Sequence, residues 1–345
     1  MSLTRSPRAF LLAAIASSVL AACGGGGSGG SDTSVAAPAV TPVISLDGTI
    51  VATPGAATYT TGTVKAQAFY ALNAARKAAG AGVLSQSATL DIATAAHAAY
   101  IEGNMDFVHD ENPAKPFFYA VTPKDRAVKA GYAGTVVETL GGTGASLNGA
   151  DCALGLLNTV YHGEALLVGG YTDVGIGSHL DASGTPACVI NLGRPSGYGQ
   201  IPASGAIIGY PGNGMTVEGT FYAGYETPRP PIALFPSLTA GTPVIVSLRN
   251  ADYINLQSSA KLDAKVAEFA LKDAMGNVVP AHILAGADVT AGPGVVLNSD
   301  PLLFTGTMIL VPKAPLPAGT YSATVSATLG GSAAAIAKTF SFTAK

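Results

Sequence analysis

The chain has 345 residues, with 18 Lys and Arg against 21 Asp and Glu for a net charge of −3; 48% of it is hydrophobic and only 11% charged. That length exceeds a typical single domain, so two domains plus processed or flexible segments are expected. No Lys/Arg run or basic patch is present, which argues against nucleic acid as a partner. Beyond the N-terminus no apolar run reaches the roughly 18 residues of a spanning helix, so the bulk of the chain is expected to be soluble.

Arg5 and Arg8 precede the apolar stretch from Ala9 to Ile15, the arrangement of an export signal. The stretch closes on Leu20-Ala21-Ala22-Cys23, which resembles the lipobox of bacterial lipoproteins. The resemblance implies removal of residues 1–22, acylation of Cys23 and membrane attachment through that lipid, each buried methylene contributing about 0.8 kcal/mol. Gly24 rather than Asp after the cysteine favours the outer membrane of the cell envelope. The alternative is an ordinary signal peptide with a chance cysteine. Residues 23–63, rich in Gly and then in Pro, Ala and Thr, read as a tether, because such a composition buries too little apolar area to offset its ordering entropy. With Cys23 used as anchor, Cys152 and Cys188 remain. An oxidising compartment favours a disulfide between them, and two buried thiols is the alternative.

From Val64 the pattern turns helical. Ala68, Tyr70 to Leu72 and Ala75 recur at helical spacing, predicting a helix over 64–79 stopped by Gly80 and Gly82. A second helix is predicted over 88–104, with Leu90, Ala93, His97 and Ile101 on one side, which makes His97 a hydrogen-bonded core histidine rather than a ligand. Thr122-Pro123 opens a third with an N-cap hydroxyl and a proline at its first position, and Gly131 closes it. Arg126 within it is expected to pack and bond a nearby carbonyl, the alternative being contact with a substrate anion. Asn148 starts a fourth, with Asp151 three residues on as a helix-start device, and the pattern runs on through Thr159 to His162. Residues 173–177 and 187–192 alternate as strands. Helices followed by strands without βαβ alternation predict an α+β class. Phosphate loop, nucleophile elbow and HExxH motifs are all missing.

Several dispersed pieces then fall in a recognisable order: Leu72 to Arg76, Leu90 to His97, His109 followed by Pro113, Asp125-Arg126-Ala127 with Gly131-Tyr132, Glu138, His162, and Val174-Gly175-Ile176-Gly177. Residues 64–200 thereby resemble the bacterial form of the CAP superfamily (cysteine-rich secretory proteins, antigen 5 and pathogenesis-related 1). The resemblance implies an α-β-α sandwich whose central cleft carries a polar tetrad, filled here by His109, Glu138, Thr159 and His162. Thr139, Leu156 and Gly163 stand where the family usually has Asn, Trp and Arg, which weakens any inference of a family-wide activity. Two imidazoles and a carboxylate suit a divalent metal, zinc above all, or a small ligand. They also suit general acid–base work, or a mutually satisfied structural network.

After Pro211-Gly212 and a proline-rich stretch near 226–231, strand-like runs recur at 243–248, 266–271, 307–311, 320–327 and 339–343. Tyr321, Ala323, Val325, Phe340 and Phe342 alternate with polar or small neighbours, so one face should be buried. Pro315 to Tyr321 resembles the penultimate-strand entry of bacterial immunoglobulin-like domains, implying an all-β Ig-like sandwich over 211–345, with His282 at its surface. The leading expectation is a non-enzymatic envelope lipoprotein whose cleft binds a small, lipid-like ligand or a divalent metal. The alternatives are a metal-assisted surface hydrolase or peptidase, and an adhesive module with a vestigial cleft. The oligomeric state is not legible.

Overall fold

A computed structural model describes residues 49–142, 148–179, 187–195, 199–249, 262–330 and 332–345. The export signal, Cys23 and the tether as far as residue 48 lie outside the described residues. The stretch 49–63, read from composition as tether, lies against the body that follows it. Val51 N–H donates to Gln200 Oε1 at 2.8 Å, Ile201 N–H to the Thr49 carbonyl at 3.0 Å, and Tyr59 O–H to Asp91 at 2.6 Å. These contacts come from backbone groups and one tyrosine, which composition does not reveal.

Among the described residues, five helices and a four-stranded sheet form the first part. Helix α1 (Val64–Ala79) is capped by the Thr63 hydroxyl and ends on Gly80 at φ 87°. Helix α2 (Ala88–Asn104) is capped by Ser87. Helix α3 (Pro123–Lys129) starts with a reciprocal Thr122–Asp125 capping box. Strands β1 (Ser85–Gln86), β2 (Gly134–Gly142), β3 (Asp173–His179) and β4 (Ala187–Pro195) assemble in the order β1-β3-β4-β2, antiparallel except for β1 with β3. Helix α2 lies directly on β3, and a Cβ at Gly175 or Gly177 would overlap the backbone of Leu90 or Thr94. The Gly-Ile-Gly spacing is therefore a packing requirement.

The fourth helix departs from expectation. Helix α4 (Gly149–Leu157) begins at Asn148 as read, but stops at Leu157, and a separate helix α5 (Tyr161–Leu167) follows. Three contacts break the run. Asn158 bonds sideways through Nδ2 to the Thr220 carbonyl at 2.8 Å, and the Thr159 hydroxyl bonds back to the Leu156 carbonyl at 2.8 Å. Glu226 takes up the free N–H groups where the chain restarts. Periodicity along the chain carries no trace of Thr220 or Glu226.

Among the described residues, the second part holds two five-stranded sheets. One is built from β5 (Ile207–Tyr210), β9 (Val244–Leu248), β11 (Ala281–Ala285), β13 (Asn298–Ser299) and β14 (Thr307–Pro312). The other comprises β6 (Met215–Val217), β10 (Ala264–Asp273), β12 (Val289–Ala291), β15 (Gly319–Thr328) and β16 (Ala335–Ala344). A short ribbon of β7 (Thr220–Tyr222) and β8 (Thr239–Gly241) stands between them in sequence. Tyr321, Ala323, Val325, Phe340 and Phe342 are buried, as their alternation predicts. His282 is half-buried rather than a surface residue, its ring edge-on to Phe235 at 5.7 Å. One apolar cluster runs from Phe69 and Leu72 of α1 through Leu157 and Leu166 to Ile245 and Phe340, so the two parts share a core. The contact is close enough that a Cβ on Gly163 of α5 would meet Ile245 Cδ1 at 2.7 Å.

Candidate functional site

The four tetrad positions reach the site from three places: His109 from the loop after α2, Glu138 from β2, and Thr159 and His162 from the α4–α5 break. They form two pairs. His109 Nδ1 lies 3.1 Å from Glu138 Oε1, and His162 Nδ1 lies 3.3 Å from Thr159 Oγ1. His109 and His162 both line a cleft of about 360 Å³ with Leu140, Gly141, Gly142 and Tyr225. Glu138 is buried behind His109, with 1% side-chain exposure against 45% for the imidazole. Thr159 lines a neighbouring cavity of about 570 Å³, which His162 and Tyr225 also wall.

A buried charge network holds the first pair. Arg126, wholly buried, donates through Nη2 to both oxygens of Glu138 at 2.8 and 3.0 Å and to the His109 carbonyl at 2.8 Å. Its Nη1 reaches the carbonyls of Ala120 and Val121. The carbonyl-bonding role expected for Arg126 is thus joined by an ion pair that sequence spacing did not indicate. Burial opposes ionisation of Glu138, but the hydrogen bond from His109 and the fields of Arg126 and His97 outweigh it, holding the carboxyl below its usual range. His97 is fully buried, with Nδ1 2.9 Å from Glu111 and Nε2 2.9 Å from the Val108 carbonyl. Both ring nitrogens are occupied, so it is the core histidine expected and offers nothing to a ligand.

The second pair has a partner that the sequence does not disclose. Glu226, with no exposed side-chain surface, sits 3.3 Å from His162 Nδ1. It accepts the backbone N–H groups of Val160, Tyr161 and His162 at 3.0, 2.6 and 3.1 Å. It stands 64 residues from His162. Since α5 has no N-cap side chain of its own, Glu226 supplies both the missing acceptors and a negative charge at the helix start. Sequence reasoning also missed Glu111, two residues past His109; its adjacency to a recognised histidine is the one signal that could have found it.

These contacts fix the tautomers. The Thr159 proton is spent on the Leu156 carbonyl, so Thr159 and Glu226 both face His162 Nδ1 as acceptors and require hydrogen there. Ionised Glu138 makes the same demand of His109 Nδ1. Each neutral ring then keeps its Nε2 lone pair for a ligand, the carboxylate-held arrangement common to metal-binding histidines. A Thr159–His162–Glu226 relay is excluded, because hydroxyl and carboxylate contact the same nitrogen whereas a relay needs opposite ones. Among the described residues no group of three or more His, Cys, Asp and Glu is placed to hold a metal ion. Cys152 of α4 and Cys188 of β4 are joined by a disulfide with Cα atoms 5.8 Å apart, beside the larger cavity.

Comparison with known proteins bears on residues 69–192, which match the sequence model of the cysteine-rich secretory protein family, CAP. No curated protein matches the chain. Among solved structures, it is similar to an outer surface protein from Borrelia burgdorferi at 17% identity and TM-score 0.34, covering 40% of this chain and 97% of that one. It is similar to an extracellular SCP-domain protein from Bacillus anthracis str. Ames at 20% identity and TM-score 0.33, covering 38% of this chain and 40% of that one. A third similarity is to PcoC, a methionine-rich copper resistance protein from Escherichia coli, at 18% identity and TM-score 0.22, covering 40% and 93% respectively. The helices, sheet and paired histidines described above thus fall within a recognised domain: residues 69–192 of this chain form a CAP domain.

Proposed function

We propose that this is an exported, non-enzymatic binding protein of the cell envelope, tethered through acylated Cys23, whose His109–His162 cleft takes a small ligand or a divalent metal. The observation that carries the reading is the shared cleft itself. Two histidines line it, each with Nδ1 held by a buried carboxylate and Nε2 left for a ligand. A divalent metal such as zinc would be held here by His109 and His162. Glu138 is not a further ligand, since its oxygens are engaged by Arg126 and His109. Bound there, zinc would act as a Lewis acid toward a small anionic or carbonyl ligand. Export and anchoring are supported by Arg5 and Arg8 ahead of an apolar stretch and by the lipobox-like Leu20 to Cys23 that closes it.

Zinc titration of the purified chain by calorimetry is the direct test. One saturable site is expected in the wild type, lost when His109→Ala and His162→Ala are combined. Zinc uptake that is absent, or that survives the double substitution, overturns the metal-binding form of the proposal.

A further inference from the structure

The larger cavity adjoins the cleft at His162 and is walled on one side by the CAP domain and on the other by the segment 218–226 that follows β6. Its volume, about 570 Å³, is within the range of small-molecule sites. Its chemistry is one-sided. Asp151 and Glu218 line it together with the aromatic residues Phe221, Tyr222 and Tyr225, and among the described residues its lining contains no Lys or Arg. Glu226 also lines it but is consumed by three N–H groups and His162.

Two details point to a hydrogen-bond-donating cation. The rings of Tyr222 and Tyr225 stand 5.7 Å apart, tilted by 33°, and are 53% and 87% exposed, so two π-faces are left open beside the acids. Asn158 donates through Nδ2 to the Thr220 carbonyl, which fixes the orientation of its amide, and its buried Oδ1 has no hydrogen-bond partner among the described residues. An orphan acceptor, the carboxylate of Asp151 and a tyrosine pair are complementary to an ammonium on an apolar body. Lys345 Nζ, which lines an adjoining cavity, sits 2.8 Å from Glu218 Oε1 and its charge also acts on Asp151, so the acids here already draw one ammonium of the chain.

We propose that this junction cavity, which adjoins the His109–His162 cleft and shares His162 and Tyr225 with it, takes a small organic ammonium with an aromatic or aliphatic body. The ammonium lies toward Asp151 and the Asn158 carbonyl, and the body packs on Tyr222 and Tyr225. Tyr222 and Tyr225 come from outside the CAP match, so the site requires both parts of the chain.

The test is calorimetric titration of the purified chain with phenethylammonium, phenylacetate and phenethyl alcohol as probes. Saturable binding of the ammonium is expected, with phenylacetate excluded and the alcohol weaker. Asp151→Asn and Tyr225→Ala should each weaken the ammonium by about fivefold or more, in keeping with the loss of one ion contact or one cation–π contact. Asp151 and Tyr225 are exposed, so neither change threatens the fold. No uptake of the ammonium, equal uptake of phenylacetate, or an affinity unmoved by both substitutions overturns the proposal. The titration is made with the imidazole pair intact, so its failure leaves the zinc result standing, and the reverse holds equally.

Discussion

Glu226→Ala is the perturbation that most sharply tests how the second histidine is held. The carboxylate accepts three N–H groups, and its removal orphans all three at once. An unsatisfied buried N–H costs about 1–3 kcal/mol. The Tyr161 and His162 N–H groups are only part-buried and can recover water, whereas the Val160 N–H is buried and cannot. Adding about 0.5–1 kcal/mol for the lost charge at the start of α5 gives an expected destabilisation of about 3 kcal/mol. Glu226→Gln, which keeps one acceptor oxygen, should cost about 1 kcal/mol. Urea denaturation measures both. Imidazole ¹⁵N–¹³C correlation spectra add a local readout: neutral His162 should carry its hydrogen on Nδ1 in the wild type and shift toward the Nε2–H form in Glu226→Ala. A variant as stable as wild type, with the His162 tautomer unmoved, would refute the claim that Glu226 positions this ring.

Three further outcomes are expected. Burial raises the Glu164 carboxyl to about 8 from its ordinary 4.5, against the hydrogen bonds from Phe304 N–H and Thr307 and the field of Arg249. Its folded-state value lies above its unfolded one, so its stabilising contribution is complete below about pH 4.5 and is lost as pH rises through 8. Between those values stability should fall by up to about 1.4 kcal/mol per pH unit, and Glu164→Gln should flatten that slope in urea midpoints measured across the range. Arg126→Met leaves Glu138 as an uncompensated buried charge and should cost about 3–5 kcal/mol by the same assay, while loosening the His109 loop whose carbonyl Arg126 holds. Breaking the Cys152–Cys188 disulfide by paired Cys→Ala substitution frees a loop with a sequence separation of 36 and should lower stability by about 3–4 kcal/mol, read as a shift in thermal midpoint.

Local signals carry far in this chain. The caps at Thr122 and Asn148, the glycine stop at Gly80 and the alternation of Tyr321 to Val325 each act within a few residues, so they are legible before any fold is known. His97 is legible for the same reason, since its face of α2 is apolar over successive turns. The order of the dispersed pieces from Leu72 to Gly177, His109, Glu138 and His162 among them, likewise indicates the domain, because family resemblance is itself a property of sequence.

What those residues do is decided elsewhere. Whether His109 and Glu138 meet depends on β2 lying beside the loop after α2, and whether Glu138 stays ionised depends on Arg126 arriving from α3. Helical periodicity overruns the end of α4 because the stop is built by Thr220 and Glu226, more than sixty residues away, which no local pattern can register. The junction cavity exists only where β7 and the segment after it pack against α4 and α5. Sequence by itself determined the first three helices, the longer strands and the domain, since caps, turns and hydrophobic periods are short-range. Tertiary structure decided the pairing of charges, the tautomers and the second cavity, since these depend on distances between residues that the chain keeps far apart.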